Sequence, residues 1–415
     1  MTEHEKILRE VEAIDRARES RRARAEAMAA KDARRLERNC ARKPRRRTVA
    51  IFVVFALASV AGAGLLVWKP TIAGDLSGVG GPGPALEWRH VGTSVYPVRR
   101  LEVTPDRVLG VASPGIVLEA DLELSRWRVT EVRTALAVDP AAAVELGPAY
   151  RATSEGRVGD VLSGVSVAEG GRVIVVGGFL GEGATRDSST LYYDAGSRLW
   201  IRPLTLEADF LHACAFDGPR GYAVGNLGNI VYSTTSGSNW DFTGVVTNAD
   251  LFDIELCGEG RTVVVGGVDD GPESFGLVLV SDAWGAPFRG VHRTPRPLRA
   301  VARSEGGELF LTGDDGTVSA SADGGRTWTD LSGEAVFDGR NRPDLLAVAV
   351  TRIGGRTMVA AGGRDGEVIF SGDGKSWQTA RLPAGAGTVT ALTFAAGALF
   401  AVTDRAQVFT ADIGS

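Results

Sequence analysis

Three cysteines, three methionines and four histidines are all that the 415 residues contain. So few cysteines exclude a disulfide-stapled fold. So few thiolate and imidazole ligands leave little material for a zinc or histidine metal centre, and neither metal nor cofactor is expected. Aromatic residues make up only 7% of the chain. No Gly-x-Ser-x-Gly elbow, P-loop or His-Glu-x-x-His motif occurs, which removes the usual signatures of α/β-hydrolases, nucleotide-binding enzymes and zinc proteases. Glycine, by contrast, is abundant. The 54 glycines are about 13% of the chain against a usual value of about 7%. They follow no Gly-X-Y period, so the chain is not collagen-like, and its scattered apolar runs argue against wholesale disorder.

The net charge of −5 averages two unlike regions. Residues 1–47 hold 16 Lys/Arg against 9 Asp/Glu, a net of +7, and the remainder holds 30 against 42, a net of −12. Between them Thr48 to Val67 runs for twenty residues without a charge. At about 1.5 Å per residue such a helix spans about 30 Å, the thickness of a hydrocarbon core. Arg42, Lys43, Arg45, Arg46 and Arg47 precede it, and Trp68 with the single Lys69 follows. The positive-inside rule then places the N-terminus in the cytoplasm and the acidic bulk outside, at the periplasmic or cell-surface side. A cleavable signal peptide is the competing reading, with Ala61-Gly62-Ala63 as its cleavage site, but a 47-residue leader far exceeds an ordinary n-region.

Four segments result. Residues 1–47 read as a basic helical leader, solvated near anionic headgroups rather than bound to nucleic acid. Residues 48–68 read as a single transmembrane helix and 69–85 as a Gly/Pro linker. Residues 86–415 form the globular part.

That part repeats. Tryptophans fall at 88, 127, 200, 240, 284, 328 and 377, mostly 39 to 49 residues apart, the period expected for four-stranded blades. Each unit opens on an alternating strand, beginning at Val98, Leu162, Leu211, Leu251, Leu298, Leu345 and Val389. A glycine turn and a second hairpin follow, clearest in GNLGNIVYS from Gly225, GDDGTVSAS from Gly313 and GRDGEVIFS from Gly363. The last unit lacks its own tryptophan strand, and Leu86-Glu87-Trp88-Arg89 stands where it can supply one. The expected fold is therefore all-β: a single seven-bladed β-propeller, its ring closed by an N-terminal strand that removes both open edges.

The turn before each tryptophan is fullest at Ser321-Ala-Asp323-Gly-Gly325-Arg-Thr327-Trp328. Asp323 is suited to accept backbone amides, and the glycines permit positive φ. A shorter copy has Ser371, Asp373, Gly374 and Trp377; only fragments remain at Trp127, Trp200 and Trp284. Ser-x-Asp-x-Gly-x-Thr-Trp is the Asp-box, or BNR repeat. The whole string Gly313–Trp328 most resembles the photosystem II stability/assembly factor-like propellers of the sialidase-type superfamily. That resemblance implies a non-catalytic, extracytoplasmic seven-bladed propeller that helps assemble membrane complexes.

Catalysis finds no support in the residues. A glycosidase needs two carboxylates facing one cleft, whereas Asp269/Asp270 and Asp314/Asp315 occupy glycine-flanked turns. No catalytic residue is assigned. The competing function is a surface-anchored glycoside hydrolase, sialidase-like enzyme or lectin on the same repeat. Cys214 and Cys257 sit in inner strands of adjacent blades at non-equivalent positions and read either as a disulfide or as two buried thiols; Cys40 lies in the leader.

The register itself gathers one constellation. The second position of each inner strand is Arg99, Ser163, His212, Phe252, Arg299, Leu346 and Thr390. Ringed about a channel, these face one mouth, where Arg99, His212, Phe252 and Arg299 are suited to hold a carboxylate or an acidic segment of a protein partner. The competing reading is a plain water-filled entrance.

Overall fold

The computed structural model describes residues 66–67 and 85–413, apart from 133, 137–159, 181–185, 197–198, 203–207, 244–245 and 334–341. The leader, span and linker expected over 1–85 fall, but for 66–67 and 85, outside the described residues, as does Cys40. Among the described residues no helix is long and apolar enough to cross a membrane.

The seven units form seven antiparallel sheets. Blade five shows the plan, with strands Leu298–Arg303, Leu309–Gly313, Val318–Ser321 and Thr329–Asp330 paired in order. The first strands of all blades are Arg100–Val103, Asp160–Ala168, Leu211–Asp217, Asp250–Leu256, Leu298–Arg303, Leu345–Ile353 and Val389–Ala395. Each packs against the next and the last against the first, so they ring a channel. Apolar side chains on both faces of each sheet meet the neighbouring blades. Second strands such as Val108–Ala112 and Leu309–Gly313 are buried along their whole length. Each large aliphatic side chain buried in this way contributes roughly 1.5–3 kcal/mol.

Closure follows the sequence reading with a small shift. Arg89–Thr93, rather than Leu86 to Arg89, pairs antiparallel with Gln407–Asp412 as the fourth strand of blade seven. Trp88 instead reaches sideways, its Nε1 donating to the Ala380 carbonyl of blade six at 2.6 Å.

Three blades depart from the repeat. Blade six carries a fifth strand, Leu66–Val67, which runs parallel to its first strand Leu345–Ile353 and touches the first strands of blades one, five and seven. These two residues, expected at the end of a transmembrane helix, are extended instead. Blade two carries a fifth strand, Thr134–Leu136, which runs parallel to its outer strand Leu199–Arg202. In blade four the tryptophan is displaced. Ser281 stands seven residues before Phe288, just as Ser321 stands seven before Trp328, and Phe288 is the buried residue, 7% exposed. Trp284 lies in the turn and stacks flat on Tyr222, centroids 5.1 Å apart and planes at 12°. Phe288 meets the same Tyr222 edge-on at 5.5 Å.

Candidate functional site

The constellation at the second inner-strand position has a backbone cause. In blades two to seven the pairing of first and second strands slips by one residue there. The slips fall between Leu162 and Gly164, Leu211 and Ala213, Leu251 and Asp253, Leu298 and Ala300, Leu345 and Ala347, and Val389 and Ala391. The skipped residues are Ser163, His212, Phe252, Arg299, Leu346 and Thr390. In blade one the Arg99 N–H bonds the Val111 carbonyl at 2.8 Å while Arg100 already pairs with Val111, the same two-against-one arrangement. A bulge bends its strand and re-aims the extra side chain. Here it does so seven times at the same end of the channel.

The bulge also dictates what stands opposite. Gly177, Gly225, Gly266, Gly313 and Gly363 pair with the residue preceding the bulge. A Cβ at these positions would lie 1.8–2.4 Å from a backbone carbonyl oxygen of the residue entering the first strand. None of these five has positive φ. They are glycines of close approach within strands, a second source of the glycine excess beside the turns.

Three neighbouring blades bring their bulged side chains into contact. His212 lies 5.3 Å from Phe252 between ring centroids, and Phe210 packs on the other side of His212 at 5.0 Å. The Arg299 guanidinium sits over the Phe252 ring at 4.7 Å, within cation–π range. His212 Nε2 shares a hydrogen bond with Asn226 Oδ1 at 2.6 Å. Ser163 donates to the Leu211 carbonyl of the next blade at 2.6 Å. His212 and Phe252 are buried, so they form a floor; Arg299 is half-buried above them.

Arg299 is engaged from the side. Its Nε and Nη2 donate to the two oxygens of Asp314 at 2.7 and 2.5 Å, and Asp269 approaches Nη2 to 3.8 Å. Burial disfavours the guanidinium charge, but the bidentate Asp314, helped by Asp269 and Asp344, overrides it and raises the Arg299 pKa. The two acidic pairs of the sequence thus divide. Asp314 and Asp269 turn to Arg299, while Asp270 and Asp315 are exposed. Arg99, the bulged residue of blade one, is largely buried, and that desolvation lowers its pKa.

Immediately after the bulge, position three is Gly164, Ala213, Ala300, Ala347 or Ala391 in five blades. Small residues are required there: a Cβ on Gly164 would approach the Ala213 backbone of the next blade to 3.0 Å. The two exceptions are Arg100 and Asp253, and they meet. Arg100 Nη2 donates to Asp253 Oδ1 at 2.5 Å, joining blade one to blade four through the channel. Asp253 Oδ2 accepts the Val301 N–H of blade five at 3.0 Å, and Oδ1 also accepts its neighbour's Ile254 N–H at 2.9 Å. Burial raises the Asp253 pKa, with Arg100 and these amides pulling the other way.

Strand alternation puts the turns before the tryptophans at the opposite end. In Ser321–Trp328 Asp323 Oδ1 accepts the N–H groups of Arg326 and Thr327 at 2.9 Å each, and Oδ2 accepts the Thr327 hydroxyl at 2.6 Å. Ser321 Oγ accepts the Gly325 N–H at 2.9 Å, and Trp328 Nε1 donates to the Gly325 carbonyl at 3.0 Å. Gly325 has φ of 86°, and any Cβ there would meet Val263. A slight burial effect opposes ionisation, but the bonds from Thr327, Ser321 and Arg326 hold the Asp323 carboxyl at about 2. Asp373 repeats the pattern with Lys375, Ser376 and Ser371, and Gly374 has φ of 70°. Trp377 is buried beside it. The fragment at Trp127 keeps the same geometry: Asp121 accepts the Ser125 N–H at 2.7 Å and hydroxyl at 2.8 Å, and Trp127 Nε1 donates to Leu124. Leu124 adopts the positive φ that glycine takes elsewhere.

Among the described residues Cys214 and Cys257 form no disulfide. Among the described residues no group of three or more His, Cys, Asp or Glu is placed to hold a metal ion.

No family model and no curated protein matches the sequence. Solved structures do resemble the fold. YCF48 bound to D1 peptide is 16% identical, with a TM-score of 0.53 over 83% of this chain and 99% of that one. YCF48 from Cyanidioschyzon merolae is likewise 16% identical, with a TM-score of 0.53 over 79% and 99%. The structure of U3-55K aligns at 14% identity and a TM-score of 0.56, over 80% of this chain and 100% of that one. The chain is a seven-bladed propeller resembling these, at distant identity.

Proposed function

We propose that this protein is a membrane-anchored interaction module, a non-catalytic scaffold whose propeller binds a segment of a protein partner at the channel mouth outside the cytoplasm. The observation that carries this reading is the contact of His212, Phe252 and Arg299, three bulged side chains from three consecutive blades. An aromatic floor beneath a guanidinium suits a short segment bearing an apolar and an acidic side chain. A ligand carboxylate meets Arg299 along the edge that Asp269 contacts only loosely, at 3.8 Å, and Arg99 adds a second cation at the same mouth. YCF48, which shares the fold, has been solved with a D1 peptide bound, and peptide binding is carried here as part of the proposal. The turns at Asp323 and Asp373 are read as Asp-boxes with a structural role. The uncharged span that begins at Thr48, up to Leu66, holds the module at the membrane, raising its effective concentration for membrane-bound partners.

Affinity capture from detergent-solubilised membranes tests this. Because Arg299→Ala alone strands Asp314, the variant is Arg99→Ala/Arg299→Ala/Asp314→Ala, with Asp323→Asn at the opposite end as control. The mouth variant should retain a cooperative thermal transition and lose the partner that the wild type and the control both capture. Undiminished capture by a folded mouth variant would sink the reading.

A further inference from the structure

Blade four differs from its neighbours at the rim. Its third and fourth strands, Phe275–Ser281 and Arg289–Thr294, run for seven and six residues, whereas the fourth strand of blade three is only Asp241–Phe242. The short strand fails to cover the face that blade four turns toward blade three. A groove of about 510 Å³ opens there, lined by Phe275, Leu277, Leu279, Val246 and Arg293. Val246 is 42% exposed and is one of only three large apolar side chains that the described residues leave exposed.

Arg293 closes one side of the groove. It is exposed, pairs in register with Leu277, and lays its guanidinium on the Phe275 ring at 4.0 Å. Among the described residues it has no carboxylate partner within salt-bridge distance. A guanidinium held over a ring keeps its N–H donors in one plane, a fork suited to a carboxylate. The strand that carries it is the free outer edge of its sheet, and such an edge presents alternate unpaired N–H and C=O groups. The molecule itself shows that a blade edge accepts another strand, since Thr134–Leu136 adds to the outer edge of blade two.

We propose that the outer edge of blade four takes up an extended segment of a partner protein as a fifth strand. An apolar side chain of that segment enters the groove beside Leu277 and Leu279, and an acidic side chain pairs with Arg293. Main-chain pairing supplies affinity and the two side-chain contacts supply selectivity, the usual division in strand addition. The surface lies at the rim and does not depend on the channel-mouth reading, because no residue of that mouth takes part.

The test uses the full chain in detergent and synthetic hexapeptides Thr-Val-Thr-Glu-Thr-Val and Thr-Val-Thr-Lys-Thr-Val, which set valine and the charged residue two apart on one face of a strand. Binding is read by fluorescence anisotropy, and hydrogen exchange is followed across Arg289–Thr294. The acidic peptide should bind and slow exchange at alternate amides of this strand. Arg293→Glu should weaken the acidic peptide at least tenfold and strengthen the lysine peptide. Arg293→Gln, which keeps the polar stem, should weaken the acidic peptide without favouring the basic one. The proposal is overturned if exchange in Arg289–Thr294 is unchanged by the acidic peptide, or if Arg293→Glu leaves the preference untouched. Slowing that appears without peptide and grows with protein concentration would assign the edge to a second copy of this chain, and would equally overturn it.

Discussion

Arg100 and Asp253 are joined through the channel at 2.5 Å, from blades that are not neighbours in the ring. Both side chains are almost fully buried, 4% and 0% exposed. A pair of this kind is costly to break and cheap to replace, because the loss of one partner strands the other charge in a low-dielectric interior. Arg100→Ala and Asp253→Ala should each destabilise the propeller by about 3–5 kcal/mol. Arg100→Met/Asp253→Leu should recover most of that loss, and a double-mutant cycle by urea denaturation should show strong non-additivity. Additive single effects would mean that the two groups act separately.

Acid should act on the turn at Asp323. Its folded pKa of about 2 lies below the ordinary 3.8, so its ionised form stabilises the fold above pH 3.8, and the effect fades as pH falls from there toward 2. The turn is partly solvated, which keeps the effect at roughly 1 kcal/mol or less. Asp323→Asn should lower the thermal midpoint near neutral pH, and the gap from wild type should close as the pH approaches 2. A gap that is constant with pH would show that charge plays no role.

The glycines opposite the bulges should resist substitution more than glycines elsewhere. A Cβ on Gly363 would stand 1.8 Å from the Asp344 carbonyl oxygen, while one on Gly92 would meet nothing within 4 Å. Gly363→Ala should cost about 1–3 kcal/mol or more, as overpacking against fixed backbone does. Gly92→Ala should stay within about 0.5 kcal/mol of wild type. Chemical denaturation of the two variants decides the matter.

In blade four, Phe288→Ala should cost about 3–5 kcal/mol, the usual range for a buried aromatic. Trp284→Ala should cost clearly less, since its ring is half-buried and packs on one face of Tyr222. Equal losses in thermal denaturation would return Trp284 to the place that tryptophan holds in the other blades.

That displaced tryptophan shows where sequence reading reaches and where it stops. Seven units and a closing N-terminal strand were legible because each repeats a strand period and a turn pattern from which the pairing follows. The second-position residues were legible because the bulge that turns them to the mouth recurs in every unit. Phe288 was missed because counting tryptophans ranks identity above spacing; measured from Ser281, the right residue stands out. Arg100 and Asp253 were missed although they break a row of Gly and Ala at position three, and two opposite charges in such a row were the available signal. Thr134–Leu136 carried no signal: three residues without a turn motif do not reveal that they will join the next blade. Nor could sequence indicate that Asp314 would occupy the guanidinium of Arg299, since that pairing depends on how a turn folds back over a strand.

The closing blade also sets how the ring responds to mechanical load. Arg89–Thr93 is held edge to edge by Gln407–Asp412, so a pull on the chain just before Arg89 falls first on blade seven. Strand direction decides whether those bonds share the load in shear or break singly in sequence. The Trp88 hook on Ala380 ties the entry point to blade six and spreads the force over two sheets. Trp88→Phe keeps the ring but removes that tie, making blade seven the site at which unfolding under tension begins.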